Sequence, residues 1–252
     1  MMLDDRNAII YGGGGSVGGA IARAFARAGA HVFLAGRTAA TLDAVAGDIR
    51  AHGGRADTGV LDALDEAAVD EHADRVAAVA GSLDISVNVI ADADVQGTPA
   101  AAMAVDDYLS PVVTALRSKF LTTRAAARHM MRQRSGVILA FGGPADPAAH
   151  RNHPFGGFLT SLDAVESMRR QWAAELGPYG IRMITLRTGG IPESITDPGF
   201  RETIEAETIK QAALGRAATL ADVGNVATFA ASDLARTITG TALNMTCGAV
   251  LD

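Results

Sequence analysis

Lysine is almost missing from this sequence. Lys119 and Lys210 are the two lysines in 252 residues, so nearly all of the 22 basic side chains are arginines. They form no basic run, and the formal net charge is −6, which argues against nucleic acid or an anionic membrane surface as the main partner. Cysteine is scarcer still. With Cys247 alone, no intrachain disulfide and no cysteine-based metal site can be built, and this residue is expected as a small packed side chain rather than a nucleophile. Any stretch of about eighteen uninterrupted apolar residues is absent too, and the opening Met-Met-Leu-Asp-Asp-Arg lacks the basic-then-apolar order of a signal peptide. A soluble, cytoplasmic protein with no membrane partner is the expectation. Apolar residues are abundant at 48%, and the length suits one α/β domain over 1–252 rather than two.

The densest signal lies in residues 7–29. Residues 8–11 form a short apolar run suited to a buried strand, and Val17, Ala20, Ile21, Ala24, Phe25 and Ala28 then recur at helical spacing up to a stop at Gly29. Between them, Gly12, Gly13, Gly14 and Gly15 allow a tight turn, and Gly18 lets the helix approach the sheet. The helix's first N–H groups and its positive dipole end are left facing whatever lies above the turn, which makes a phosphate cradle.

Residues 30–38 make a second apolar run. It ends about twenty residues beyond the glycines, where a dinucleotide-binding unit places its ribose-reading residue. An NAD site would carry Asp or Glu there, whereas this sequence has Gly36-Arg37-Thr38. A carboxylate repels a 2′-phosphate and Arg37 pairs with it, so the expected cofactor is NADP(H), with NAD(H) second.

The rest of the chain alternates. Helix 39–52, strand 55–61, a helix from 66 to about 79 and strand 83–90 are followed by a loop-like segment, 91–111, with Pro99 and Pro111. A long helix over 112–133, strand 137–141, an irregular stretch over 142–155 and a helix over 157–176 come next. Strand 181–187, helices near 204–214 and 219–232, and strand 242–247 complete it. The order implies a parallel, doubly wound sheet with helices on both faces. Asp62, at a strand's carboxyl end, sits where open α/β sheets bind ligands.

Together these segments resemble the short-chain dehydrogenase/reductase family over essentially the whole chain. Residues 11–18 are similar to its Thr-Gly-x-x-x-Gly-x-Gly, with Tyr11 for Thr and Ser16 for the middle glycine. Asn88 matches the first residue of Asn-Asn-Ala-Gly, Gly177-Pro-Tyr-Gly-Ile-Arg182 resembles the family's entry into strand six, and residues 239–248 resemble its C-terminal segment. The resemblance implies a single-domain Rossmann fold with about seven parallel strands flanked by helices. It also implies an oxidoreductase with a small-molecule substrate, assembled as a homodimer or homotetramer. By the same resemblance the cofactor is held by Gly12, Gly14, Gly15, Ser16, Val17, Gly18, Arg37, Thr38, Asp62, Ala63, Asn88, Gly189 and Ile191.

The family's Tyr-x-x-x-Lys pair, strand-five serine and helix asparagine align elsewhere than on chemistry. Phe158 stands at the tyrosine, Leu162 at the lysine, Gly143 (or Gly142 in the neighbouring register) at the serine and Ala115 at the asparagine. A phenyl ring has no proton to give. Substitute acids or bases are Lys119, one turn beyond Ala115 on its helix, and His150 and His153 in the irregular stretch, with Asp92 and Asp94 as further acids. A metal site on His150, His153 and Asp146 lacks helical His-x-x-x-His geometry, and no metal is expected. Two readings follow: an NADP(H)-dependent oxidoreductase with a non-standard acid, or a catalytically silent or non-redox nucleotide-binding protein, isomerase-like, on the same fold.

Overall fold

The computed structural model describes residues 1–91, 94–143 and 153–251. Their strands are β1 (Asn7–Tyr11), β2 (His31–Gly36), β3 (Arg55–Val60), β4 (Ile85–Asn88), β5 (Gly136–Gly142), β6 (Ile181–Arg187) and β7 (Thr241–Asn244). The helices are α1 (Ser16–Arg27), α2 (Ala39–Ala51), α3 (Glu66–Ala80), α4 (Val105–Gln133), α5 (Phe158–Leu176), α6 (Pro198–Gln211) and α7 (Leu220–Ala231). The strands pair in parallel in the order β3-β2-β1-β4-β5-β6-β7. The order reverses between β1 and β4, and a crevice opens at the carboxyl ends of strands there.

The apolar strands are buried on both faces, as a parallel sheet covered by helices requires. One face carries Ile10, Leu34, Val87, Leu139 and Leu186 against Ile21 and Phe25 of α1, Leu42 of α2 and Val223 of α7. The alternate residues, Ile9, Tyr11, Phe33, Ile138 and Met183, face Val69 of α3, Leu121 of α4 and Val165 of α5. Removing each such aliphatic side chain from water contributes about 1.5–3 kcal/mol.

Several boundaries differ from the sequence reading, each for a local reason. Helix α4 begins at Val105, seven residues before the expected start, and carries Pro111 inside it. Proline removes one N–H from the ladder, but Asp106 and Asp107 in the first turn complement the helix dipole. Helix α6 begins earlier as well, because Asp197 caps it, accepting from Phe200 N at 2.7 Å, and Pro198 occupies the first position. Strand β4 is shorter than 83–90 since Leu83 exchanges its backbone bonds with the Gln133 amide (both 2.9 Å) and Asn88 Oδ1 takes Ile90 N at 3.0 Å. Strand β7 stops at Asn244. Cys247, in left-handed backbone (φ 56°), is buried with Ala212 and Ala218, as a small packed residue.

Candidate functional site

A cleft of about 470 Å³ lies over the carboxyl ends of the first four strands, between the glycine turn, the end of β2 and the segment after β3. Its floor is built by packing. A β-carbon on Gly18 would stand 2.2 Å from Gly12 O, so only glycine lets α1 start this close beneath the turn. Gly15 is the N-cap and offers no side-chain oxygen. The N–H groups of Ser16, Val17 and Gly18 consequently find no acceptor among the described residues. Uncapped N–H groups at the positive end of a helix fit a pyrophosphate, and the fit is in this chain's own backbone.

Among the expected cofactor residues, Gly12, Gly14, Gly15, Arg37, Thr38, Asp62 and Ala63 line this cleft together. Arg37 is exposed at its mouth, with no ion pair or hydrogen bond among the described residues. Thr41, which sequence reading missed, lines the cleft too, its Oγ1 donating to Thr38 O at 3.0 Å. Its place one turn into α2, three residues past Thr38, was the available signal. Asp62 is exposed, and its Oδ1 accepts Leu64 N at 3.0 Å, which fixes the carboxylate's direction.

Other expected residues are placed differently. Asn88 is buried, and its amide ties β4 to α4 by donating to Thr122 Oγ1 at 3.0 Å. Val17 and Ile191 pack with the apolar cluster beneath the sheet's α1 face. Gly189 lies beside Thr246, in the loop after β6.

The positions that the family resemblance makes catalytic lie at the end of β5 and on α4 and α5. Leu162 reaches the end of β5, where a β-carbon on Gly142 would meet its Cδ2 at 3.2 Å. Phe158 opens α5 and is half-buried, with its ring 6.4 Å from that of Phe155, which in turn meets His153 at 5.0 Å. His153 is exposed beside this aromatic patch, and His150, Asp146 and Asp92 fall outside the described residues. Asp94 is exposed and pairs with the Gln96 amide. Ala115 is fully buried. Lys119, expected as a substitute acid or base, is instead 2% exposed, on the packed face of α4.

Beneath Leu162 sits a buried ion pair that sequence reading missed. Glu166 Oε2 accepts from Arg169 Nε and Nη2 at 2.9 and 2.7 Å, and Glu166 Oε1 takes the Thr185 hydroxyl of β6 at 2.5 Å. Residues 162, 166 and 169 share a face of α5 by helical spacing, which was the signal for it. One step along β6 from Thr185, on the same strand face, is Arg187, also missed and only 5% exposed. Its side chain lies across the end of β5: a β-carbon on Gly143 (φ 115°) would come within 2.4 Å of Arg187 Cγ.

Tyr11 is buried in the core against Val69 of α3, and burial, with the Asp70 charge adding, pushes its phenol above the ordinary range. Its ring is 6.2 Å from that of His72, which desolvation, with Arg75 adding, lowers to about 4.

Comparison with known proteins agrees with this geometry. A family model described as enoyl-(acyl carrier protein) reductase matches residues 13–249. An L-rhamnose 1-dehydrogenase (NAD(P)(+)) of Azotobacter vinelandii is 31% identical over 96% of both chains. A D-threitol dehydrogenase of Mycolicibacterium smegmatis is 30% identical over 94% of this chain and 90% of its own. The structure of a short-chain type dehydrogenase/reductase from Mycobacterium ulcerans superposes with a TM-score of 0.89 at 25% identity, covering 99% of this chain and 91% of that one. With the glycine turn, the strand order and these matches in hand, the chain belongs to the short-chain dehydrogenase/reductase family.

Proposed function

We propose that this protein is an NADP(H)-dependent oxidoreductase acting on a small hydroxyl- or carbonyl-bearing substrate, working without the family's tyrosine and lysine. The observation that carries the cofactor reading is Arg37, exposed at the mouth of the cleft with Thr38 and Thr41 beside it and no carboxylate at the ribose-reading position. The turn from Gly12 to Gly18 would hold the pyrophosphate, Arg37 the 2′-phosphate and Asp62 the adenine amino group. When bound, the nicotinamide supplies or accepts a hydride. The chain's part is to position the reactants, exclude water and stabilise charge on the substrate oxygen. The names of the relatives, which act on a sugar and a sugar alcohol, support a small polar substrate. Titrating NADPH and NADH against thermal stability tests the cofactor reading, and equal or absent responses would remove it.

A second reading, a silent nucleotide-binding member, is favoured by Ala115, Gly143, Phe158 and Leu162 together. Binding of NADPH without hydride transfer to any carbonyl, imine or enoyl compound would select it. We further propose self-association through α4 and α5. Leu109, Val113 and Phe120 of α4 stay exposed, and the Phe120 ring lies 5.8 Å from that of Trp172 of α5, tilted against it. Light scattering showing only monomer at micromolar concentration would count against it.

A further inference from the structure

Outside the cofactor cleft, one buried side chain holds polar atoms that the fold leaves unused. His72 of α3 is 4% exposed, and its Nδ1 has no hydrogen-bond partner among the described residues. The ring meets that of Tyr11 edge-on and lies within reach of the Arg75 charge, but no hydrogen bond to a described residue holds it. A buried polar group left without a partner costs about 1–3 kcal/mol, so an imidazole here is a poor core residue unless something else bonds it. The backbone makes room for it. A β-carbon on Gly59 would stand 2.5 Å from His72 Nε2, so glycine at this place on β3 is what lets the ring lie against the edge strand. His72 also forms part of the wall of a cavity of about 410 Å³ between β3 and α3. Phe33, Val76 and Val79 give that cavity an apolar lining, and Arg75 and Asp57 are its charged residues. It shares no lining residue with the cofactor cleft.

The two charges are not equivalent. Asp57 is engaged, with its carboxylate 2.7 Å from His31 Nε2 and 3.7 Å from Arg50 Nη2. Arg75, three residues along α3 from His72 and so on the same side of the helix, is exposed and has no ion pair or hydrogen bond among the described residues. An uncommitted guanidinium and an unpartnered imidazole therefore border one apolar cavity. We propose that this cavity binds a small monocarboxylate with an apolar tail, its head held by Arg75 and the His72 imidazole and its tail lying on Phe33, Val76 and Val79. A guanidinium can meet both oxygens of a carboxylate in one plane, and the neutral imidazole supplies one N–H. Asp57, which lines the same cavity, repels a second negative charge and so favours a carboxylate over a phosphate dianion. The volume suits a small molecule. Nothing in this site depends on a dinucleotide being bound.

Phenylacetate is the probe, compared with its neutral amide, phenylacetamide, and with acetate, which lacks the tail. Each is titrated into the protein labelled with ¹⁵N-histidine, with no nucleotide added, and the ring nitrogens of His72 are followed by long-range ¹H–¹⁵N correlation. Their signals are assigned from their absence in His72→Gln and, independently, from their staying neutral while the exposed rings take up a proton. Phenylacetate is expected to displace the His72 signals to saturation, with the amide and acetate each weaker by roughly tenfold or more. Arg75→Gln, a change at an exposed position, weakens phenylacetate roughly 10- to 100-fold and leaves the amide near its original affinity, as loss of one charge-assisted hydrogen bond requires. His72 signals that stay in place overturn the site, and shifts confined to the other histidines do the same. Equal affinity for acid and amide overturns the carboxylate head, as does an Arg75→Gln protein that binds phenylacetate as tightly as its parent. Since no dinucleotide is present, these outcomes leave the NADP(H) reading to its own titration.

Discussion

Gly18 approaches the backbone of Gly12 so closely that a β-carbon on the helix residue would stand 2.2 Å from the carbonyl oxygen of the turn residue. The turn and the first helical turn are thus packed as one unit, and the N–H groups above it are uncapped because Gly15 offers no side-chain oxygen. Gly18→Ala must push the helix away. The overpacking costs about 1–3 kcal/mol in stability. The misplaced cradle weakens NADPH by roughly tenfold or more, which a fluorescence titration beside a melting curve will measure.

On the proposed NADP(H) reading, Arg37 carries the choice of cofactor. Its exposed guanidinium has no partner among the described residues to compete with a phosphate. Arg37→Ala removes a charge-assisted hydrogen bond of about 1.5–3 kcal/mol, so NADPH affinity falls roughly 10- to 100-fold while NADH binding stays near its original level. Arg37→Asp goes further and repels the 2′-phosphate, leaving NADH the tighter ligand.

The buried pair of Glu166 and Arg169 predicts a stability effect that depends on which side chains are removed. Both residues are nearly inaccessible, and Thr185 adds a third bond. Glu166→Ala strands a buried cation and costs about 3–5 kcal/mol in urea unfolding. Replacing the two together, as Glu166→Leu with Arg169→Met, costs far less, because Arg169 Nη1 has no hydrogen-bond partner among the described residues and two desolvated charges disappear at once.

Acid acts through His72. The folded protein holds this imidazole neutral, with its pKa lowered to about 4, while the unfolded chain keeps the ordinary value of 6.5. Between those values the unfolded chain binds a proton that the folded protein refuses, so stability is complete above the upper value and falls as pH drops through the window. The loss reaches on the order of 3 kcal/mol at its acid end. His72→Gln abolishes that part of the slope, read as the difference between the two proteins' unfolding free energies at pH 7 and pH 4.5. An unchanged difference would locate the acid sensitivity elsewhere.

Much of this molecule was legible in its sequence. Apolar runs separated by helical stripes placed the strands and the long helices within a few residues, and the glycine turn with Arg37 marked the cleft that the structure brings together. Long-range pairing hid the rest. Thr41 reaches the cleft only because α2 turns back over the glycines, and Asn88 is drawn away by a hydroxyl on α4, a partner 34 positions distant. In the sequence Arg187 is the last residue of a strand. Its packing against Gly143, a neighbour across β5 and β6, is a contact that no local pattern announces. The early start of α6 was legible, since Asp197-Pro198 is a cap followed by a first-turn proline; the start of α4 was obscured by Pro111, which reads as a boundary and lies inside the helix.

We propose that the cleft with Arg37 at its mouth serves hydride transfer with Phe158 and Leu162 at the positions where the family resemblance puts the proton donor and its lysine. It is tested most directly by incubating the protein with NADPH deuterated at C4 on either face and a series of small hydroxyketones and ketones, then weighing the alcohols formed. Deuterium is expected in the product from one face of NADPH, with NADH a poorer donor. Saturable NADPH binding with no deuterium in any product would contradict it and leave a protein that holds the cofactor without using it.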